Sequence, residues 1–427
     1  MNARALVDSG TSLLALVWRF DQPADAVISQ FFREHRGAGS RDRQVLTDTI
    51  YAALRRRLWL EHAAAGGPGT LHRRLVLLAW EGEPQTLDSA ILPDERAWLA
   101  TASAVAHLPD PQLAPEWRHH LPAWLAERLR AEVPDAEWDA MAASLITAAP
   151  LDLRANALRG GRDKLAQRLA EAGHASVPTP YAPGGLRLDG KPALQRHPAF
   201  LDGSLEVQDE GSQLLALLCG AARGETVVDF CAGAGGKTLA LGAMMRDKGR
   251  IYAMDTSAHR LQALKPRLAR AGLTIVHPMA LVHQRDERLS RLVGKADRVL
   301  VDAPCSGLGT LRRNPSLKWA LSAADISAYA LMQADILRAA ARLVRPGGRL
   351  VYATCSLLEE ENEAIAQSFE APADRAGRAG WRRLEVAPLL TRAQVPQAEA
   401  LCEGPNLRLW PHRHRCDGFF AAVWERG

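Results

Sequence analysis

Two cysteines stand where a thiol could do chemistry. Cys305 lies in Asp302-Ala303-Pro304-Cys305-Ser306-Gly307, directly after the apolar run Arg298-Val299-Leu300-Val301. Cys355 lies in Thr354-Cys355-Ser356, after a second apolar run that begins at Arg349. A thiolate is both nucleophile and leaving group. A free thiol, with a pKa of about 8.5, needs a site that lowers this value or takes the proton as attack occurs. The 427-residue chain holds six cysteines, the others being Cys219, Cys231, Cys402 and Cys416. None belongs to a Cys-x-x-Cys pair, which argues against a disulfide scaffold or a metal site and for reduced thiols. Cys219 and Cys402 read as small buried hydrophobes.

A glycine-rich segment, Cys231-Ala232-Gly233-Ala234-Gly235-Gly236-Lys237-Thr238, follows a third apolar run. Glycine lets the backbone turn sharply and approach a ligand, while the next helix presents unpaired N–H groups. A phosphate loop requires Gly-x4-Gly-Lys-Thr. Gly236-Lys237-Thr238 fit, and Val301-Asp302 could serve as the Mg²⁺-binding acid of an ATPase, but Cys231 occupies the first glycine position and would crowd the turn. A P-loop-like ATPase is therefore the weaker reading. A nucleoside-cofactor loop instead predicts an acid at the end of the next strand to accept the ribose hydroxyls. Asp255 sits there, although the same position also suits a helix N-cap. Loop and acid together favour a Rossmann-like site for S-adenosylmethionine or a dinucleotide.

Two thiols beside a methyl donor suit one chemistry. C5 of cytosine is too electron-poor to take a methyl cation directly, but a thiolate adding at C6 makes an enamine-like adduct whose C5 is nucleophilic. A base must then remove the C5 proton so that the thiol can leave. An acid at the N3 edge would stabilise the adduct, and Asp302 is placed for that or for cofactor contact. The two sulfurs are expected on opposite sides of one pyrimidine.

All these residues fall at the ends of predicted strands. Residues 226–230, 250–255, 273–276, 298–302 and 349–354 alternate with helices, including one over 323–343, which predicts an α/β fold with a doubly wound, mostly parallel sheet. Ligands in such folds gather at the carboxyl ends of the strands, and neighbouring strands run about 4.8 Å apart. Residues 1–147 read as all-helical from apolar spacing such as Val27, Ile28, Phe31, Phe32 and Val45, Leu46, Ile50, Leu54. Residues 148–203 read as a small α+β connector, and 204–427 as the α/β domain.

Hydrophobic residues at 47% and charged residues at 24% exclude a disordered or fibrous chain. The apolar stretch 13–18 is too short to span a bilayer. A cytoplasmic monomer without metal or membrane attachment is expected. The net charge of +5 is a weak bias toward polyanionic partners. It is strongest where Arg33, Arg36, Arg41, Arg43, Arg55, Arg56 and Arg57 face only Glu34, Asp42 and Asp48, either as a solvated face or as a phosphate-contacting surface. His412, Arg413, His414 and Arg415 form a second basic cluster with the same two readings, and Trp59, Trp117, Trp124 and Trp138 read as core.

The run 231–238, the block 302–307 with Arg312-Arg313-Asn314-Pro315 and Lys318-Trp319, and Tyr352-Ala353-Thr354-Cys355-Ser356 with Glu360-Glu361-Asn362 closely resemble the Nop/Sun family of RNA 5-methylcytosine methyltransferases. Val207-Gln208-Asp209 and Asp417-Gly418-Phe419-Phe420 match as well, so the resemblance covers about residues 150–427. Through Arg41-Asp42-Arg43 and Pro122-Ala123-Trp124-Leu125, the N-terminal part resembles the NusB-like RNA-binding domain of the bacterial RsmB branch, which methylates 16S ribosomal RNA.

The resemblance implies a class I methyltransferase fold, RNA as partner and S-adenosylmethionine as cofactor. It implies Cys355 as the nucleophile and Cys305 as the helper in proton removal and product release. Cys231, Ala232, Gly233, Ala234, Gly235, Gly236 and Lys237, with Asp255, Arg260 and Asp302, would hold the cofactor. One departure stands out. Relatives carry an acid near the adenine after the third strand, where this chain reads His277-Pro278-Met279-Ala280-Leu281 and offers no acid before Asp286. An RNA-binding protein with a vestigial methyltransferase half is the competing reading; both thiols and the complete loop argue against it.

Overall fold

The computed structural model describes residues 1–107, 112–370 and 380–427. The chain divides into two compact units, Met1–Ala148 with Thr310–Ala323, and Ala149–Gly309 with Ala324–Gly427.

The first unit is helical. Asn2 and Thr70 cap the helices Ala3–Val17 and Leu71–Leu78, each side chain accepting a backbone N–H of the first turn. With Ser40–Arg55 these helices bury Leu13, Leu14, Leu46, Ile50, Leu54, Leu75 and Leu78 almost completely. Each such side chain contributes about 1.5–3 kcal/mol. The arginine row divides. Arg33, Arg36 and Arg41 are exposed, and Arg41 pairs with Glu83. Arg55, Arg56 and Arg57 are half-buried and donate to Arg312 O, Ala106 O and Glu61, so part of their hydrogen-bonding capacity is used within the helical unit.

Residues 310–323 were expected within the α/β domain, yet they belong to the helical unit. The reason is a nearly inaccessible Lys318, whose Nζ donates to the carbonyls of Arg55 and His120 at 2.8 Å each. Trp319 Nε1 donates to Leu54 O at 2.7 Å. Leu54 and Arg55 end a helix, where carbonyls lack intrahelical partners and a cation is favoured. Burial, with Arg55 close by, pushes the Lys318 ammonium down to about 7.

The second unit opens with a small antiparallel sheet. Strands β1 (Leu151–Ala155), β2 (Ser176–Pro178), β3 (Gly185–Leu188) and β4 (Leu205–Val207) take the order β2-β3-β1-β4. The helix Gly161–Glu171 buries Leu165 and Leu169 in the same core. The connector runs past residue 203 because β4 completes its sheet.

A larger sheet follows, built from β5 (Thr226–Asp229), β6 (Arg250–Asp255), β7 (Val276–Ala280), β8 (Ala296–Asp302), β9 (Val344–Thr354), β10 (Trp381–Leu384), β11 (Cys402–Glu403), β12 (Asn406–Leu409) and β13 (Phe419–Arg426). Its order is β11-β12-β13-β9-β8-β5-β6-β7, with β10 beside β13. The half β9-β8-β5-β6-β7 is parallel, and β13 joins it antiparallel to β9. The chain winds outward from β5 through β6 to β7, then returns to the other side of β5 as β8. The crevice beyond the ends of β5 and β8 is therefore the topological switch point. Strand β7 occupies Val276–Ala280 rather than residues 273–276. It is the sheet's edge, mostly exposed on its own, and an edge accommodates Pro278.

Candidate active site

Strand β5 ends at Asp229 and the chain turns through residues 230–235 into the helix Gly236–Met244. Gly235 has φ +85°, and a Cβ there would lie 2.2 Å from Leu264 Cδ1, so only glycine lets the loop pack on the helix Ala258–Ala271. Gly233 N donates to Asp255 Oδ2 at 2.8 Å, and Ser257 N donates to Asp255 Oδ1 at 2.7 Å. Asp255 thus ties the loop to the end of β6; the cap of the following helix is Ser257. The connector supports the loop from behind. Arg154 donates to Gln208 Oε1 at 2.6 Å and to Gly236 O at 3.4 Å. Arg267, paired with Glu206 of β4 at 2.9 Å, donates to Ala234 O at 2.6 Å.

Beside this loop opens a cavity of about 1250 Å³. Cys231, Ala232, Gly233, Ala234, Gly236, Lys237, Asp255, Arg260, Asp302, Cys305 and Cys355 all line it, whereas Gly235 lies behind the wall. Sequence reasoning did not single out Ser212, Arg267, Tyr329 or Met332, which line it too, because they come from helices with no motif of their own. After β7 the wall is Leu281, Val282, His283 and Gln284. Asp286 is not part of it. Its carboxylate accepts from Val282 N and Arg288, which hold it well below the usual carboxylate range.

The electrostatics of the wall are unusual. Lys237 Nζ meets Asp302 Oδ2 at 2.6 Å. Burial works against the ammonium, but Asp302, by its charge and its hydrogen bond, outweighs it and raises the Lys237 pKa. Asp229 Oδ2 accepts from Thr238 Oγ1 at 2.7 Å, while its buried Oδ1 has no partner. Burial, reinforced by Asp302 and Asp255, pushes the Asp229 carboxyl up to about 7.

Strands β8 and β9 are neighbours, with Asp302 opposite Ala353, so both loops leave the same end of the sheet. The sulfurs of Cys305 and Cys355 lie 3.3 Å apart. An aromatic ring between them would need about 7 Å, two contacts of some 3.5 Å. The expected convergence of the two sulfurs is found, but at this separation a base cannot lie between them. The Cys305 thiol is held well above its ordinary value by its hydrogen bond with Cys355, then by burial and the Cys355 and Glu361 charges.

Elsewhere, burial pushes Cys219 up to about 12 and Cys402 up to about 11, in keeping with inert packing roles. The basic cluster near the C-terminus is partly internal: Arg413 pairs with Glu403 at 2.7 Å, and buried His414 accepts from Trp410 N. Trp59 and Trp138 are buried. Among the described residues, no His/Cys/Asp/Glu group could hold a metal ion, and no helix is long and apolar enough to cross a membrane.

The strand order and the loop after β5 place the α/β unit among the class I methyltransferases. Within that class the chain belongs to the RsmB/F family. Residues 216–425 match the family model described as 16S rRNA methyltransferase RsmB/F, and residues 121–195 match an RsmF/B-like ferredoxin-like domain. A "Probable ribosomal RNA small subunit methyltransferase B" of Synechocystis sp. is 37% identical over 309 residues, 71% of this chain and 66% of its own length. The "Ribosomal RNA small subunit methyltransferase B" of Salmonella newport is 36% identical over 251 residues, 58% of this chain and 57% of its own. The chain thus spans just under two thirds of the one relative and little over half of the other. The crystal structure of PH0851 superposes over 100% of this chain and 98% of that one, with a TM-score of 0.76 and 26% identity.

Proposed function

We propose that the protein transfers a methyl group from S-adenosylmethionine to C5 of a cytosine in RNA, 16S ribosomal RNA foremost, through a bond between Cys355 Sγ and C6. The observation that carries this reading is the 3.3 Å approach of the two sulfurs at the cofactor cavity. C5 and C6 are adjacent ring atoms, so two thiols serving them must stand side by side.

S-adenosylmethionine, when bound, supplies the electrophilic methyl group. The residues present fit it. Asp255 keeps lone pairs for ribose hydroxyls beyond its two backbone donors, Asp229 Oδ1 is an unpaired buried acceptor, and Leu281 and Val282 offer apolar surface to an adenine. Two acids on one wall, Asp255 and Asp302, with Lys237 already taken by Asp302, suit a ligand of hydroxyl donors and positive charge. They would repel a polyphosphate, which argues against ATP hydrolysis.

Cys355 adds to C6 while the Lys237 ammonium, kept charged by Asp302, offsets the negative charge that moves into the ring toward N3. Cys305 stays a thiol during attack. Once the Cys355 sulfur is bonded to C6, the hydrogen bond that most favours the Cys305 thiol is gone. Cys305 can then give its proton to solvent water and, as thiolate, accept the C5 proton as the C5–H electrons form the C5=C6 bond, the S–C6 bond breaks and Cys355 leaves as thiolate. Exposed Arg33 and Arg36 on the helical unit are cations that RNA phosphates could meet.

Incubation with unmethylated 16S rRNA tests the reading. Cys305→Ala should accumulate a covalent protein–RNA species that the added Cys355→Ala change removes, and bisulfite sequencing should locate the methylated cytosine. Methylation by Cys355→Ala alone would overturn it. An adduct dependent on Cys305 would mean reversed roles, as in DNA cytosine methyltransferases.

A further inference from the structure

Beneath the two thiols lies a carboxylate that no step above uses. Glu361 is inaccessible to solvent, in the short 3-10 turn Glu359–Glu361 that follows β9. Its Oε1 accepts from the Ser306 backbone N–H and from Gln333 Nε2, each at 2.9 Å. Its Oε2 accepts the hydroxyls of Ser306 and Ser356, each at 2.5 Å. All four donors are neutral groups. Ser306 and Ser356 are the residues immediately after Cys305 and Cys355. Gln333, from the helix Ala323–Ala341, also donates to the carbonyl of Pro304 at 3.0 Å, so the residues on both sides of Cys305 are held. The same turn grips the other loop again through Asn362 Nδ2, which donates to Ser356 O at 3.1 Å.

We propose that Glu361 is a positioning residue that fixes the spacing of the two sulfurs by anchoring the Cys305 and Cys355 loops on one carboxylate. The inference rests on the thiol-addition reading above. A buried carboxylate among neutral donors is costly compared with an apolar contact of the same size, and its hydrogen bonds must offset its desolvation. Packing alone gives no reason for the charge. As a tether, it adds a side-chain link between two loops whose backbones meet beyond Asp302 and Thr354 through Ala303 N–Ala353 O and Gly309 N–Cys355 O, each at 2.8 Å. Its charge also faces Cys305 and favours the thiol form there before attack.

The tether makes the two arms separable. Ser356→Ala cuts the nucleophile loop from Glu361, leaving the Asn362 bond to its backbone, and should slow adduct formation about 10- to 100-fold in single turnover. Ser306→Ala removes only the hydroxyl arm and loosens the other loop, whose backbone N–H still reaches Glu361: the adduct should form at a near-normal rate but resolve about 10-fold more slowly. Glu361→Gln keeps the shape and removes the charge, so product release should reach half its maximal rate at lower pH. In all three, the KM for RNA and the Kd for S-adenosylmethionine should stay within about 2-fold of the parent while kcat falls. If the variants lower thermal stability yet leave single-turnover rates and the pH profile unchanged per cofactor-binding molecule, the residue is merely structural and the proposal is overturned. Should Glu361→Gln fail to fold, the two serine variants decide it. Absence of any adduct in Cys305→Ala with native Glu361 would sink the thiol-addition reading itself and the proposal with it, a result distinct from wild-type rates in the Glu361 and serine variants.

Discussion

The sulfurs of Cys305 and Cys355, fifty positions apart in the chain, sit 3.3 Å from one another. Trivalent arsenicals bind paired thiols far better than single ones. Phenylarsine oxide is therefore expected to bind one-to-one by intact mass and to abolish methylation. Dimercaptopropanol should reverse the block and a monothiol should not. Either single alanine substitution should remove the tight site; persistence of a dithiol-reversible block in Cys305→Ala would contradict the pairing.

Asp255 both fixes the loop, through Gly233 N, and faces the cavity. Asp255→Ala should weaken S-adenosylmethionine binding about 10- to 100-fold, or about 1.4–2.8 kcal/mol, by calorimetric titration. Ser257 still caps the next helix, so thermal stability should drop much less than cofactor affinity.

Asp229 sets a pH dependence whose sign is clear. Its carboxyl, ordinarily near 3.8, is pushed up to about 7 by burial, with Asp302 and Asp255 adding to the effect. Between these values the native state holds a proton that the unfolded chain has lost, so stability falls as pH rises from about 4 to about 7. Asp229→Asn should remove on the order of 3 kcal/mol of that fall. Urea midpoints of the cofactor-free protein at pH 5 and 7.5 check this; an undiminished gap in the variant would rule it out.

Lys318 satisfies two carbonyls inside the helical unit. Lys318→Met keeps most of the volume but strands both acceptors, at a cost of about 2–4 kcal/mol. Limited proteolysis within residues 1–148 should speed up accordingly, and an unchanged digestion rate would show the bonds to be dispensable.

Much of the cavity wall was legible in the sequence because each part is a short contiguous word at a strand end. The loop 231–237, Asp302 with Cys305, and Cys355 need only their strands to be placed. What was hidden depends on partners far away in the chain. Arg55 and Arg56 look like surface cations until Arg312 O and Ala106 O are found beside them. Arg154 and Glu206 support the glycine-rich loop from another sheet, and Glu361 looks like one more acid in an acidic run. Strand β7 was misplaced because an exposed edge carrying Pro278 lacks the apolar run of the strands further in. The relation of the two sulfurs across the base was misjudged because strand spacing says nothing of where loops turn after the strand.

The segment Thr310–Ala323 completes the helical unit although it is encoded beyond β8. On a ribosome, the first 148 residues emerge long before their missing piece is made. They must wait, with the carbonyls at the end of Ser40–Arg55 unsatisfied, while four strands of the larger sheet are translated. Cutting the gene after residue 148 would give one fragment without its closure and another carrying a lysine and a tryptophan with no socket. Two units so interleaved must be inherited, expressed and matured as one.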